Sequence, residues 1–282
     1  MTSTPAPLLA KVESLLVQAR VTDAAAEALA IVEAARALAE PADHASRATA
    51  MAVERAAGTP LAYVLGTVRF MGLDLVMAPG ALVPRSETEL LGWTAVNRLS
   101  ESTTQDGPAR LVDMCCGSGN LVCGIATRRS GVKAWACDLT DQAIRVARVN
   151  VDRLGLANRV EVLQSDLFTG LDLVNLRHTI DMVVCNPPYI STGKLDRERA
   201  DLLAHEPREA FDGGPYGVNI FQRVIRDAAD FLKPGGTLLL EIGVGQERQV
   251  SRLFERTGRY DPAVAFTDAA NCPRVVAGIT RR

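Results

Sequence analysis

Little in this sequence suits metal chemistry. Only three histidines occur in 282 residues (His44, His178 and His205), and they are scattered rather than set at zinc-ligand spacing. The cysteines, Cys115, Cys116, Cys123, Cys137, Cys185 and Cys272, contain no CxxC pair. They read as small buried hydrophobes of a reducing compartment, and no metal site is expected. Basic charge is not in excess either. Thirty-one Lys and Arg stand against 33 Asp and Glu, a net charge of −2, whereas a protein that grips phosphate backbones usually carries a basic surplus or stripe. Direct nucleic-acid binding is therefore not expected. The chain has no uninterrupted apolar run of bilayer length, and its first residues lack a basic segment followed by an apolar one. A cytoplasmic protein without a membrane partner is the expectation.

What is present is ordinary globular sequence: 48% hydrophobic and 23% charged residues, long enough for one large domain and a small one. Residues 7–57 read as helices. Leu8, Leu9, Val12, Leu15 and Leu16 recur at helical spacing, as do Leu29, Val32, Ala35 and Leu38. Pro41 closes the second run, and a third extends from His44 to Ala56, ended by Gly58. Residues 1–58 are thus expected to form a small helical domain, with a role in substrate recognition as its functional reading. Residues 59–85 are expected to be a β-hairpin linker. There Tyr63-Val64 and Val68–Phe70 read as β, with a turn at Met71-Gly72 before Leu73–Val76. Ser86 followed by Glu89 has the pattern of a capping box opening a helix to about Leu99, and the polar stretch 100–108 reads as a loop.

From Arg110 onward strands and helices alternate. Strands are expected at Leu111–Met114, Lys133–Asp138, Val160–Gln164, Asp181–Cys185 and Thr237–Ile242, then at Ala263–Phe266 and Arg274–Ile279. Helices are expected at about Gly119–Arg129, from a Thr140 cap to Leu154, and at Val218–Leu232, before a turn at Lys233-Pro234-Gly235-Gly236. Alternating elements with near-continuous apolar strands mean an α/β fold, a parallel sheet covered on both faces. Residues 86–282 make up this second domain.

Such sheets bind ligands at the carboxyl ends of their strands. The first strand runs into Asp113-Met114-Cys115-Cys116-Gly117-Ser118-Gly119-Asn120, where two glycines without Cβ let a ligand approach the backbone. Asp138 ends the second strand, and its carboxylate can accept from both hydroxyls of a ribose. Asp166 can accept from an adenine amino group, with Phe168 against the ring. The layout also suits NAD, but the acid opening the motif and the missing full G-x-G-x-x-G favour S-adenosylmethionine (SAM). The residues expected to border SAM are Asp113, Cys115, Cys116, Gly117, Ser118, Gly119, Asp138, Leu139, Asp166, Leu167, Phe168 and Asn186.

Asn186-Pro187-Pro188-Tyr189 closes the fourth strand and decides between these cofactors. Two prolines there end pairing and fix φ, which makes a rigid ledge. An amide or aromatic amino nitrogen is a poor nucleophile, because its lone pair is delocalised. The Asn186 side-chain oxygen and the Pro187 carbonyl can accept from its two N–H groups, keeping electron density on nitrogen, while Tyr189 can stack on the planar group. Asn186, Pro187 and Tyr189 are the candidate catalytic residues, and Pro188 completes the substrate ledge. Arg208, Arg223 and Arg226 read as a solvated helix face, with a surface that meets an acidic partner as the other reading.

With these residues in view, the chain resembles the release-factor glutamine N5-methyltransferase family over nearly its whole length. The likeness includes Tyr63-x-x-Gly66-x-x-x-Phe70, Val83-Pro84-Arg85-Ser86-Glu87-Thr88-Glu89, Asn186–Tyr189 with Ile190, Glu206-Pro207, Asp212-Gly213-Gly214 and Glu241-Ile242-Gly243 with Gln246. The resemblance implies a Rossmann-like class I methyltransferase sheet with an antiparallel C-terminal edge strand. It implies SAM as cofactor and methylation of the glutamine in the Gly-Gly-Gln tip of peptide-chain release factors; a monomer is the expectation for the chain itself. It also implies that Arg85 and Glu87 lie near the active-site mouth. Cys115 stands where the family usually has Gly, Ser86 replaces a proline, and Phe168 stands where Trp is frequent. Two other enzyme readings share this chemistry: a small-molecule N-methyltransferase of the same family, and amino methylation of nucleic-acid bases. A SAM-binding module without catalysis is the non-enzyme reading.

Overall fold

The computed structural model describes residues 6–38, 40–101, 107–198 and 203–282. The chain divides into two compact units, Met1–Val68 and Arg69–Arg282. In the first, α1 (Ala6–Gln18), α2 (Ala24–Leu38) and α3 (His44–Ala56) are followed by the short α4 (Leu61–Leu65). Their apolar stripes meet in a core that includes Val12, Leu16, Ile31, Val32, Met51 and Val64. Glu27 of α2 and Arg55 of α3 add an ion pair at 2.6 Å. Tyr63-Val64, expected as β, lies inside α4. Pro60 precedes the helix with its φ already fixed, and Gly66 closes it at φ 72°, so both ends carry helix punctuation.

The hairpin pairs β1 (Thr67–Phe70) with β2 (Leu73–Val76). Met71 and Gly72 both have positive φ, 45° and 72°, the conformation whose twist matches two antiparallel strands. The capping box expected at Ser86 and Glu89 does not form. A 3₁₀ turn, Ser86–Thr88, leads into α5 (Glu89–Glu101) without a side-chain cap, and Ser86 Oγ bonds Glu87 instead. Glu89 is taken by a tertiary partner, accepting from the Met71 backbone N–H at 2.6 Å. The helix outruns its expected end at Leu99, and residues 102–106 of the expected loop lie outside the described residues.

The second unit is built on a seven-stranded sheet. In chain order its elements are β3 (Ala109–Met114), α6 (Asn120–Arg128), β4 (Val132–Asp138), α7 (Asp141–Arg153), β5 (Val160–Gln164), β6 (Ile180–Cys185), α8 (Thr192–Glu198), α9 (Asn219–Phe231), β7 (Leu232–Glu241), α10 (Glu247–Thr257), β8 (Val264–Thr267) and β9 (Pro273–Ile279). The strand order is β5-β4-β3-β6-β7-β9-β8. The five strands β5, β4, β3, β6 and β7 run parallel, and β9 is antiparallel to both β7 and β8. Order reverses beside β3, so the crevice for a ligand opens above the carboxyl ends of β3, β4 and β6.

Local chemistry sets the helix starts. Thr140 caps α7, its hydroxyl accepting from Ala143 N at 3.3 Å. Lys233–Gly236, expected as a turn, is a bulge within β7: Ile180 pairs with Leu232 but Met182 with Thr237, so the residues between loop out. The core under the sheet includes Val112, Trp135, Val183, Phe221, Phe231, Leu240 and Phe254. Among the described residues no helix is long and apolar enough to cross a membrane.

Candidate active site

A cavity of about 330 Å³ lies at the carboxyl ends of the parallel strands, within the size range of small-molecule sites. Cys115, Cys116, Gly117, Asp138, Leu139, Asp166, Leu167 and Asn186 share its wall. The structure thus brings the glycine turn, the acid after β4 and the Asn186 ledge to one space. Gly117 (φ 55°) and Gly119 (φ 75°) need the left-handed conformation, and a Cβ on Gly119 would crowd Ala147 of α7 at 3.2 Å. Cys115 also has a positive φ, 59°, an unusual state for a residue with a side chain and one that a glycine would adopt freely.

Asp138 is held in place by its own neighbours. Its carboxylate accepts from Gly117 N at 2.9 Å, from Thr140 N at 3.1 Å and from the Thr140 hydroxyl at 3.3 Å. Asp113 is completely buried beneath the turn. Its Oδ2 accepts from Val122 N at 2.9 Å, and its Oδ1 has no hydrogen-bond partner among the described residues. Burial pushes its pKa up to about 8, against the pull of the Val122 N–H and with a push from Asp138. Ser118 is likewise buried, with an unpartnered hydroxyl. Neither Asp113 nor Ser118 reaches the cavity wall. Burial raises the thiol pKa values of Cys116 and Cys185 well above the ordinary range, so these cysteines stay protonated.

Two expected contacts are arranged differently. Phe168 turns into the core and stacks on Phe231 at 5.1 Å, with Leu167 at the cavity wall in its place. The chain enters this 3₁₀ segment through a left-handed Leu167 (φ 51°), which swings the following ring inward. Asp166 does line the cavity, but it pairs with Arg223 of α9 at 2.9 Å. Arg223 and Arg208 are therefore wall residues. Arg208 pairs with Asp196 at 2.8 Å and Asp212 at 3.0 Å, while Arg226 pairs with Asp227. Each of the three arginines read as a solvated face has an acid from this chain. Sequence spacing gave no signal for Arg223 or for the Arg208–Asp196 pair, because those partners lie on other elements; Asp212, four residues after Arg208, is a local partner.

On the ledge, Asn186 and Pro188 line the cavity, Pro187 is buried, and the half-buried Tyr189 lies outside the wall. The Tyr189 ring packs on Gly243, where a Cβ would sit 3.1 Å from it. Surrounding motifs brace this segment. Gln246 accepts from Gly243 N at 2.9 Å and donates to the Tyr189 carbonyl at 3.1 Å. Ile190 N donates to the Phe211 carbonyl, Gly213 N donates to the Ile190 carbonyl, and a Cβ on Gly213 would sit 2.8 Å from the Pro188 oxygen. Buried Glu206 accepts from Val83 N at 2.9 Å and from Arg85 at 2.6 Å, which holds Arg85 at the cavity wall. Burial would raise the Asp212 carboxyl, but the Thr192 hydroxyl, Gly214 N–H and Arg208 outweigh it and hold its pKa below the usual range.

Beneath the ledge lies a polar cluster drawn from three of the motifs, whose meeting sequence spacing did not show. Asn186 Nδ2 donates to the Thr88 hydroxyl at 3.3 Å. Glu241, which is 1% exposed, lies beside Thr88. Burial raises Glu241 to about 7, while Thr88 and Arg274 pull it down and Glu87 pushes it up. Arg274 on β9 approaches Glu87 at 3.7 Å. Burial, followed by the Glu241 charge, raises the pKa of Tyr189, against the pull of the Arg274 guanidinium.

The methyltransferase small domain family matches residues 95–215. The release factor glutamine methyltransferase of Moorella thermoacetica is 38% identical over 222 residues, covering 78% of this chain and 75% of that protein. Its counterpart in Gloeobacter violaceus is 36% identical over 77% of this chain and 73% of its own length. That of Bradyrhizobium diazoefficiens is 34% identical over 88% and 80%. The chain belongs to the release factor glutamine methyltransferase family. Among solved structures, the human METTL16 catalytic domain in complex with an RNA hairpin matches with a TM-score of 0.55 at 16% identity, over 85% of this chain and 84% of that one. A Pyrococcus furiosus methyltransferase matches at 0.51 and 16%, over 75% and 90%. These likenesses establish the fold.

This methyltransferase family uses SAM, and the cavity's donor set fits it. A braced carboxylate (Asp138) suits ribose hydroxyls, the apolar Leu139, Leu167, Ala143 and Ile220 suit a purine, and the glycine turn leaves open space beside Gly117. Among the described residues no group of three or more His, Cys, Asp or Glu could hold a metal ion.

Proposed function

We propose that this chain transfers a methyl group from SAM to the side-chain nitrogen of a protein glutamine, the one in the Gly-Gly-Gln tip of peptide-chain release factors, in the cytoplasm. The observation that carries the reading is that Asn186 opens into the same cavity as Cys116, Gly117 and Asp138. An acceptor nitrogen held at the ledge therefore shares one space with the donor. Relatives named release factor glutamine methyltransferase support a release factor as the substrate.

Asp138 would hold the ribose, with Gly117 and Cys116 along the amino-acid part and Leu139 and Leu167 along the purine; Asp166 would border its amino edge. Bound SAM supplies a methyl group on a sulfonium, an electrophile that an amide nitrogen can attack. The chain's own work is on the acceptor. The Asn186 side-chain oxygen and the Pro187 carbonyl would each accept one N–H of the glutamine amide, fixing its plane and keeping electron density on nitrogen. As positive charge moves onto that nitrogen in the transition state, both acceptors stabilise it more strongly than in the ground state. Pro188, at the cavity wall, would flank the amide and limit its rotation, while Tyr189, packed on Gly243, would support the ledge from behind.

The test is a transfer assay with SAM and a purified release factor, beside a form with the tip Gln replaced by Ala, read by mass spectrometry. One added methyl on the unaltered tip alone is the expected result. Confirmed SAM binding without transfer to the release factor would remove it as the substrate.

A further inference from the structure

The glycine turn owes little of its shape to its own residues. Gly117 and Gly119 both take the left-handed conformation, and leaving it costs glycine little. The peptide between Ser118 and Gly119 is therefore free to flip unless both its polar ends are held. Its N–H is held within the turn, donating to the Cys116 carbonyl at 2.8 Å. Its carbonyl, that of Ser118, is held from outside, accepting from Asn150 Nδ2 on α7 at 3.0 Å. Asn150 is 1% exposed and has no freedom to turn its amide over. Its Oδ1 accepts from Val76 N at 2.7 Å, and its Nδ2 donates to the Val76 carbonyl at 3.0 Å. A reversed amide would set N–H against the Val76 N–H and oxygen against both carbonyls.

Val76 closes β2, and from there the chain runs on to Gly80, Ala81, Leu82, Pro84 and Arg85 at the cavity wall. Gly80 lies so close to α7 that a Cβ on it would sit 2.5 Å from the Gln142 side chain. One buried amide thus ties the glycine turn to the start of a second stretch of wall. Asn150 itself is not part of that wall.

We propose that Asn150 is a positioning residue for SAM, holding the Ser118 carbonyl so that the glycine turn keeps the shape that receives the donor. The inference rests on the reading of this cavity as the SAM site. Without the Asn150 donor the Ser118 peptide can flip, and part of the population then presents the wrong turn. SAM binding weakens by that fraction. The Asn186 ledge stands on another strand, so the loss falls on affinity rather than on turnover.

The experiment uses the full chain with Asn150→Leu, which keeps the bulk and removes the amide, and Asn150→Asp, which keeps the shape and the acceptor but removes both N–H donors. SAM binding is followed by calorimetry, and kcat is measured on release factor at saturating SAM. The SAM Kd is expected to rise about tenfold or more, the scale of one lost hydrogen bond, while kcat stays within about threefold. A merely structural loss would lower the amount of binding-competent protein, read as stoichiometry, and leave the Kd alone. A Kd within about twofold of wild type in either folded variant overturns the inference. The unaltered protein gives a second measure that needs no variant. Coupling is reciprocal, so bound SAM should slow hydrogen exchange of the Asn150 Nδ2 protons by about tenfold or more; an unchanged rate overturns the inference as well. If the unaltered protein does not bind SAM, the reading of the cavity falls and the inference with it. If it binds SAM without methylating release factor, only the substrate reading falls, and affinity and exchange still decide the role of Asn150.

Discussion

At the scale of single residues, the site separates into groups that would hold the donor and groups that would hold the acceptor. Asp138 belongs to the first. Its three internal hydrogen bonds brace the carboxylate before any ligand arrives, so little ordering cost remains for binding. Asp138→Ala removes a charged acceptor and loosens Gly117. SAM affinity is expected to fall by roughly ten- to a hundredfold, the scale of one charged hydrogen bond, and calorimetry would show it; equal affinity would remove Asp138 from the binding set. Asn186 belongs to the second group. Asn186→Ala should keep SAM affinity close to that of the wild type while transfer drops by about 10²-fold or more, as for loss of a preorganised polar group. Steady-state kinetics beside calorimetry separate the two effects. Phe168 shows how a residue with the right chemistry can be drawn elsewhere: stacked on Phe231, it serves the core.

Elements matter here chiefly as platforms. The strands β3, β4 and β6 end at one level, which is why a turn, a carboxylate and an asparagine far apart in sequence meet over a single cavity. Antiparallel β9 enters beside β7 and carries Arg274 into the cluster that surrounds Glu241. That placement depends on close packing between β9 and α10. A Cβ on Gly278 would overlap the ring of Phe254, which is 1% exposed. Gly278→Ala should therefore destabilise the second unit by about 1–3 kcal/mol through overpacking. The melting temperature would fall accordingly, and an unchanged value would mean that the helix shifts freely. At the hairpin, the Met71 N–H finds Glu89, and its carbonyl accepts from Arg128. The element that looked self-contained in sequence is pinned by α5 and α6.

For the molecule as a whole, two buried acids link stability to pH. Folding raises Asp113 from 3.8 to about 8 and Glu241 from 4.5 to about 7, so the folded chain binds protons that the unfolded chain releases. Their contribution is complete below about pH 4 and is lost as pH rises through about 7 to 8. Asp212, with its lowered pKa, acts in the opposite sense and loses its contribution as pH falls through the carboxylate range. Urea unfolding followed by tryptophan emission at pH 5 and pH 8 should show a lower stability at pH 8, and Asp113→Asn should reduce the difference. Trp135 lies on β4 beside Val112, so it reports on the sheet around Asp113. An identical difference in the variant would mean that Asp113 does not hold its proton.

Much of this was legible in the residues alone because it depends on local rules. Alternating apolar strands and capped helices specify a layered α/β sheet, positive-φ glycines mark the tight turn after β3, and two prolines after Asn186 can only end a strand. Their types and spacing also carry the chemistry, since Asp138 and Asn186 offer the needed acceptors wherever the strand ends bring them. Tertiary structure decided what sequence spacing cannot encode. Glu89 went to a distant backbone amide instead of capping its own helix, and Tyr63-Val64 became helical between Pro60 and Gly66 despite β-like side chains. Arg208 and Arg223 found Asp196 and Asp166 on other elements. Thr88, Asn186 and Glu241, from three separate parts of the chain, met under the ledge. A hydrogen bond has a partner only once the backbone has been placed in three dimensions, and a buried polar group must take whichever partner the fold delivers.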